Sequence, residues 1–241
     1  MSLSIPYLPP VSVDGDSLHM PIVFFDDFVD GWGFEQGDAD NTGKFSETAN
    51  LGQWLVTVID GGTGNADSIT CADDGVGGLL SIVNNAANDD AIEMQMNGEA
   101  WQLASGKDVV FEVRMKIDDV SLADWFVGLS ITDTTVLGGV TDRIGFECPD
   151  ATGDIDAISE KDSSQTTTDS SKDLADDTFV VLRFETSGTG TVRYYVNGAL
   201  VATHTTNIPE DEALTPTICI RNGSGAARTM TLDYILVARD R

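Results

Sequence analysis

"VVFEVRMKI", residues 109–117, alternates along its length: Val109, Phe111, Val113, Met115 and Ile117 fall on one side of an extended chain, and Glu112, Arg114 and Lys116 on the other. A segment with one dry and one wet face is a strand of a half-buried antiparallel sheet. "AIEMQMN" (91–97) repeats the pattern with Ile92, Met94 and Met96 inward, and "DRIGFEC" (142–148) does so with Ile144, Phe146 and Cys148. Similar runs at Phe24–Phe28, Trp54–Ile59, Leu79–Val83, Trp125–Ile131, Phe179–Glu185, Val192–Val196, Thr217–Arg221 and Met230–Val237 bring the predicted strands above ten. Helical periodicity is almost absent.

Between these runs lie clusters of turn-forming residues such as "DGGTGNAD", "ADDGVGG", "NNAANDD" and "ETSGTGT". Many short strands at such spacing predict an all-β sandwich of two antiparallel sheets. The sharpest local signal is "RYYVNGALVAT" (193–203): Asn197 and Gly198 both accept positive φ, so Tyr194–Val196 and Ala199–Val201 are predicted to close a type I′ hairpin.

Two segments do not read as strands. Residues 1–21 hold Pro6, Pro9, Pro10 and Pro21 among scattered apolar residues, which predicts an extended N-terminal arm before a sandwich domain over 22–241. "SSQTTTDSSKDLADD" (163–177) is polar throughout and is expected to be a long surface connection.

Composition narrows the function classes. The chain has 241 residues, 41% of them apolar, enough for one large β domain. No apolar run approaches the length that crosses a bilayer, and the first residues carry no basic, apolar and small-residue leader pattern, so synthesis in a cytoplasm is expected. Asp and Glu number 40 against 13 Lys and Arg, a formal net charge of -27. Such a surface repels phosphate backbones and anionic leaflets, which argues against nucleic acid and membrane as partners. Cys71, Cys148 and Cys219 are odd in number and lack CxxC spacing, so they read as small buried apolar residues. His19 and His204 sit beside no Ser or Cys signature, leaving a nucleophilic triad little to build on.

"GDIDAISEKD" (153–162) is the one place where carboxylates recur at strand spacing. On a strand, Asp154, Asp156, Ile158 and Glu160 share a face, and Asp154 and Asp156 lie roughly 6.6 Å apart along the backbone. Three chemistries compete for them. A carboxylate pair at that separation suits a retaining glycosidase. Mutual repulsion could be relieved by a cation, and Ca²⁺ is the ion such oxygens would hold, although no EF-hand loop is present. The plainest alternative is a solvated sheet face in an acidic protein. "GVGG" (75–78) lacks the strand-to-helix context of a dinucleotide loop, and no cofactor is expected.

"FFDDF" (24–28), "YYVNGALVA" (194–202) and the last strand "TMTLDYILV" (229–237) together resemble the concanavalin A-like jelly roll shared by legume lectins, laminin-G-like domains and many glucanases. That resemblance implies that the first and last strands are neighbours in one sheet. A narrower resemblance, to tailed-bacteriophage virion proteins on the same jelly roll, is carried by "DWFVGLSITD", "DRIGF", "EKDSSQTTTD", "LADDTFVVLRFE", "YYVNGALVATH" and "NIPEDEALTPTICIRNG". It implies a capsid decoration or cement protein on the virion exterior, partnered by a major capsid protein and assembled as a homo-oligomer, with a trimer as the expected state. The arm would then lie along a capsid subunit through Tyr7, Leu8, Pro9 and Pro10. The alternative on the same fold is a carbohydrate-binding module or tail adhesin with a glycan partner.

Jelly-roll glucanases of the laminarinase kind carry a strand of the form Glu-x-Asp-x-Glu, or the same with one residue inserted before the last Glu. The chain instead reads Asp154-Ile-Asp156-Ala-Ile-Ser-Glu160, and Trp32, Trp54, Trp101 and Trp125 are as easily core residues as sugar platforms. The sequence-based expectation is therefore a protein that is not an enzyme, with residues 154–160 as a wet strand face.

Overall fold

A computed structural model describes residues 21–29, 44–45, 49–59, 67–73, 77–149, 152–223 and 225–241. Apart from Pro21, the expected N-terminal arm, with Tyr7, Leu8, Pro9 and Pro10, lies outside the described residues. In chain order the first strands are β1 (Ile22–Asp26), β2 (Lys44–Phe45), β3 (Ala49–Leu51), β4 (Trp54–Ile59), β5 (Asp67–Asp73), β6 (Gly78–Val83), β7 (Ala91–Met96), β8 (Trp101–Gln102) and β9 (Val109–Ile117). Then follow β10 (Ala123–Ser130), the one-turn helix α1 (Val136–Gly139), β11 (Arg143–Cys148), β12 (Asp154–Lys161) and β13 (Ser164–Asp173). The chain continues through β14 (Val180–Ser187), β15 (Thr191–Val196), β16 (Ala199–His204), β17 (Ala213–Asn222) and β18 (Thr229–Arg239).

These strands form two nine-stranded antiparallel sheets packed as a sandwich. Sheet A runs β16-β15-β14-β9-β18-β6-β5-β2, with β1 also on β18; sheet B runs β13-β12-β11-β10-β17-β7-β4-β3, with β8 also on β17. The first and last strands are neighbours, from Ile22 opposite Arg239 to Asp26 opposite Ile235, as the jelly-roll resemblance implies. The strand 109–117 buries every second residue, Val109 to Ile117, in strict alternation.

The core lies between the sheets. Phe111 and Phe184 of sheet A stack at 5.2 Å, and Phe146 of sheet B meets Tyr194 of sheet A edge-on at 5.5 Å. Truncating such a ring to alanine costs about 3–5 kcal/mol. Trp54, Trp101 and Trp125 are all buried among these residues and present no ring to solvent. Polar contacts also tie β12 to the facing sheet: the Tyr194 hydroxyl donates to the Ile158 carbonyl at 2.7 Å, and His204 Nδ1 lies 3.0 Å from Ser159 Oγ. Burial holds the His204 ring below its ordinary pKa, so the neutral form is favoured.

The hairpin at Asn197-Gly198 forms as expected, with φ of 50° and 79°. The connection expected over 163–177 is corrected: Ser164–Asp173 is strand β13, turned back on β12 through Asp162 and Ser163, both at positive φ. Its inward residues are Thr166, Thr168 and Ser170 rather than apolar side chains. Thr168 Oγ1 meets His204 Nε2 at 3.0 Å and Thr166 Oγ1 meets Thr206 Oγ1 at 2.9 Å, so a polar edge strand is satisfied by polar partners.

Candidate functional site

Each sheet has an outer face, and the outer face of sheet B gathers the carboxylates. Pairing registers place Glu93 of β7, Cys219 of β17, Phe126 of β10, Glu147 of β11, Asp156 of β12 and Asp169 of β13 in one row across the sheet. Four residues along, a second row holds Ser130, Arg143, Glu160 and Gln165. The alternation that sends Ile144, Phe146, Ile155 and Ala157 into the core sends these side chains outward.

Half of that face is covered by the chain itself. The segment between β10 and β11 folds back over the sheet, and Val136 and Val140 pack on Phe126, Ile158 and Cys219. Side chains of β7 hold it there. Gln95 Nε2 donates to the Ile131 carbonyl and to Ser130 Oγ at 3.0 Å each, and Gln95 Oε1 accepts from the Asp133 N–H at 2.9 Å. Glu93 Oε1 accepts from the Val136 N–H at 2.8 Å, satisfying a first-turn donor of α1, whose Thr135 cap supplies no side-chain bond. Glu93 is 1% exposed and its second oxygen has no hydrogen-bond partner among the described residues. Burial raises its pKa to about 7 against the opposing pull of the backbone N–H groups.

Toward the β13 edge exposure rises, with Asp154, Gln165 and Asp169 exposed, while Arg143, Glu147 and Glu160 stay buried. Arg143 is the hub: its Nε donates to Glu160 Oε2 at 2.8 Å, and its Nη1 forms an ion pair with Glu147 Oε2 at 2.9 Å. Its guanidinium lies 5.4 Å from the Phe126 ring centre. Glu147 Oε1 accepts from Gln165 Nε2 at 3.0 Å, and Gln165 is itself exposed. Burial pushes the Glu147 carboxyl above its ordinary range; Arg143 pulls it back, and the Glu160 and Asp156 carboxylates add to the rise. Directly opposed residues on adjacent antiparallel strands have Cβ atoms about 4.5–5.5 Å apart, so Glu147 and half-buried Asp156 form a carboxyl pair across strands.

The sequence-flagged acids therefore divide. Asp154 is exposed and accepts from Thr152 Oγ1 at 2.9 Å; Asp156 joins the pair; Glu160 is buried against Arg143. The expected wet face is corrected on that account, because Arg143 and the β11 side chains cover its far end. Arg143, Glu147, Glu93 and Gln95 were not singled out as site residues. The signal was the polar phase of "DRIGFEC" and "AIEMQMN", the same alternation whose apolar phase identified the strands. Of the glucanase pattern Glu-x-Asp-x-Glu, β11 has Arg143, Gly145 and Glu147 at the three alternate positions and so keeps only the last acid. Among the described residues no group of three or more His, Cys, Asp or Glu side chains is gathered as a metal site.

The sequence matches the family model described as SO2946-like, C-terminal domain, over residues 76–235. The chain belongs to that family. No curated protein matches. Among solved structures, the domain is similar to a protein of unknown function, SO2946 from Shewanella oneidensis MR-1, at 15% identity and a TM-score of 0.55, with 93% of this chain and 89% of that chain covered. It is similar to the endo-1,3-beta-glucanase of Streptomyces sioyaensis at 15% identity and a TM-score of 0.61, covering 98% and 99%. A third similar structure is SCLam, a non-specific endo-beta-1,3(4)-glucanase from family GH16, at 12% identity and a TM-score of 0.61, covering 92% and 91%. At these identities the likeness establishes the jelly-roll fold. It also overturns the expectation of a non-enzyme, since full-length matches of the same architecture are endo-glucanases. The virion half of the sequence resemblance finds no support in these comparisons.

Proposed function

We propose that the protein acts on a neutral β-linked polysaccharide along the β11–β13 side of the outer face of sheet B, with Glu147 and Asp156 as the reacting carboxyl groups. The observation that carries this is their direct opposition on β11 and β12, with the Glu147 carboxyl raised by burial. Opposed strand positions set the two Cβ atoms about 4.5–5.5 Å apart, within reach of the carboxyl separation of about 5–5.5 Å that retaining glycosidases use. The substrate class is that of the similar glucanases.

Protonated Glu147 delivers its proton to the glycosidic oxygen as the bond from that oxygen to the anomeric carbon breaks. Asp156 forms a bond to the same carbon. Water then attacks, Glu147 takes its proton, and Asp156 leaves as carboxylate. Gln165, an exposed side chain, gives up its bond to Glu147 when the substrate oxygen takes its place. Arg143 balances the charge of Glu147 and Glu160 through both ion pairs.

The test is reducing-end release from laminarin and lichenan, followed by proton NMR of the first product anomer. Release with retained configuration is expected. Silence on both glucans, or an inverted product, would overturn the proposed roles.

A further inference from the structure

The outer face of sheet A carries a groove of about 630 Å³, lined by Glu112, Val181, Arg183, Glu185, Tyr195 and the Asn197-Gly198 turn. That volume is in the range of small-molecule sites, and none of the contacts described for the acid row involves it. Three of its lining residues, Tyr195, Arg183 and Glu112, belong to a register row that continues beyond the groove on both sides. Leu200, Tyr195, Arg183, Glu112, Leu236 and Phe25 stand opposite one another on six neighbouring strands, from β16 to β1. Five interstrand spacings make the row about 24 Å long, the scale of a short polymer segment rather than a single ring.

Its chemistry is mixed in a specific way. Arg183 pairs with Glu185 and lies 4.0 Å from Glu112. Tyr234 donates to Glu112 Oε1 at 2.8 Å and Tyr195 to Glu185 Oε2 at 3.5 Å, so both carboxylates are oriented by phenols. Tyr195 and Tyr234 are half-exposed, Phe25 is 55% exposed and tilted against Tyr234 at 6.1 Å, and Leu200 is 56% exposed. Exposed rings beside fixed planar donors and acceptors suit a pyranose, which offers an apolar C–H face to the rings and hydroxyls to carboxylate and guanidinium. The net charge of -27 disfavours an anionic polymer. On sheet B the aromatic residue of the acid row, Phe126, is instead buried beneath Val136.

We propose that the outer face of sheet A is a second, non-catalytic glycan site that holds a neutral polysaccharide across β15, β14, β9 and β18. The ligand class rests on the polysaccharide activity proposed above; the site itself rests on the groove and its residues. Calorimetric titration of laminarin into the full chain tests it. Tyr195→Ala is expected to weaken binding tenfold or more, and Phe25→Ala several-fold, while turnover of a short soluble β-glucan oligosaccharide stays at the wild-type rate. Wild-type affinity in both variants, or no binding by the wild-type chain, overturns it. Hydrogen exchange on the wild-type chain gives the same decision without a variant: laminarin protection at residues 181–198 supports the site, and protection confined to 143–169 overturns it. Tyr195-dependent binding without any hydrolysis would leave this site standing and remove the acid-row activity.

Discussion

The two outer faces of the sandwich are built by the same two-residue alternation and end in opposite chemical states. On sheet B the chain returns over its own strands through α1 and buries Glu93, while Arg143, Glu147 and Glu160 are buried against one another beside it; the four are 1%, 8%, 3% and 8% exposed. On sheet A the corresponding charges, Glu112, Arg183 and Glu185, line an open groove beside tyrosines. Burial raises the Glu93 and Glu147 carboxyls of the first set; the second set is half-buried and borders solvent along the groove. What folds back over a polar strand face decides how far its charges are taken from water.

The largest break in this contrast is Arg143→Ala. Removing the hub leaves Glu147 and Glu160 without their buried partner, and a loss of about 3–5 kcal/mol in urea unfolding is expected. A loss below about 1 kcal/mol would mean that the network is hydrated like an exposed surface pair.

Next is Glu93. Its folded pKa of about 7 lies above the ordinary 4.5, so the folded state binds the proton more tightly. The stability this contributes is full below about pH 4.5 and is lost as pH rises through about 7, amounting to roughly 3 kcal/mol. Glu93→Gln should remove that slope, gaining on the wild type with rising pH until the difference levels off above about pH 7. Parallel pH profiles for the two proteins would show that Glu93 titrates normally.

The smallest expected effect is on sheet A. Tyr195→Ala removes a half-exposed ring from an open face and should shift unfolding by no more than about 1 kcal/mol, despite its effect on glycan binding. A loss of several kcal/mol would make Tyr195 a packing residue and reduce the contrast between the faces.

Much of the fold was legible wherever inward residues were apolar, as in 109–117, and wherever a turn demanded positive φ, as at Asn197-Gly198. Strand β13 was not, because Thr166, Thr168 and Ser170 point inward to His204 and Thr206, partners supplied by a distant part of the chain. The site was half legible. "GDIDAISEKD" drew attention to Asp156 and Glu160 because they share a strand. Glu147 and Arg143 became visible only when β11 paired with β12 and the register set Glu147 opposite Asp156 and Arg143 opposite Glu160. Glu93 needed a further step, the docking of α1, since an alternating Glu on a strand otherwise reads as solvated.

The most direct test of the acid row is turnover of laminarin by Glu147→Gln against wild type at matched folding. Loss of the proton donor should lower kcat by about 10²–10⁴-fold with little change in KM. An unchanged kcat in a folded Glu147→Gln chain would contradict the assignment of Glu147 as the acid.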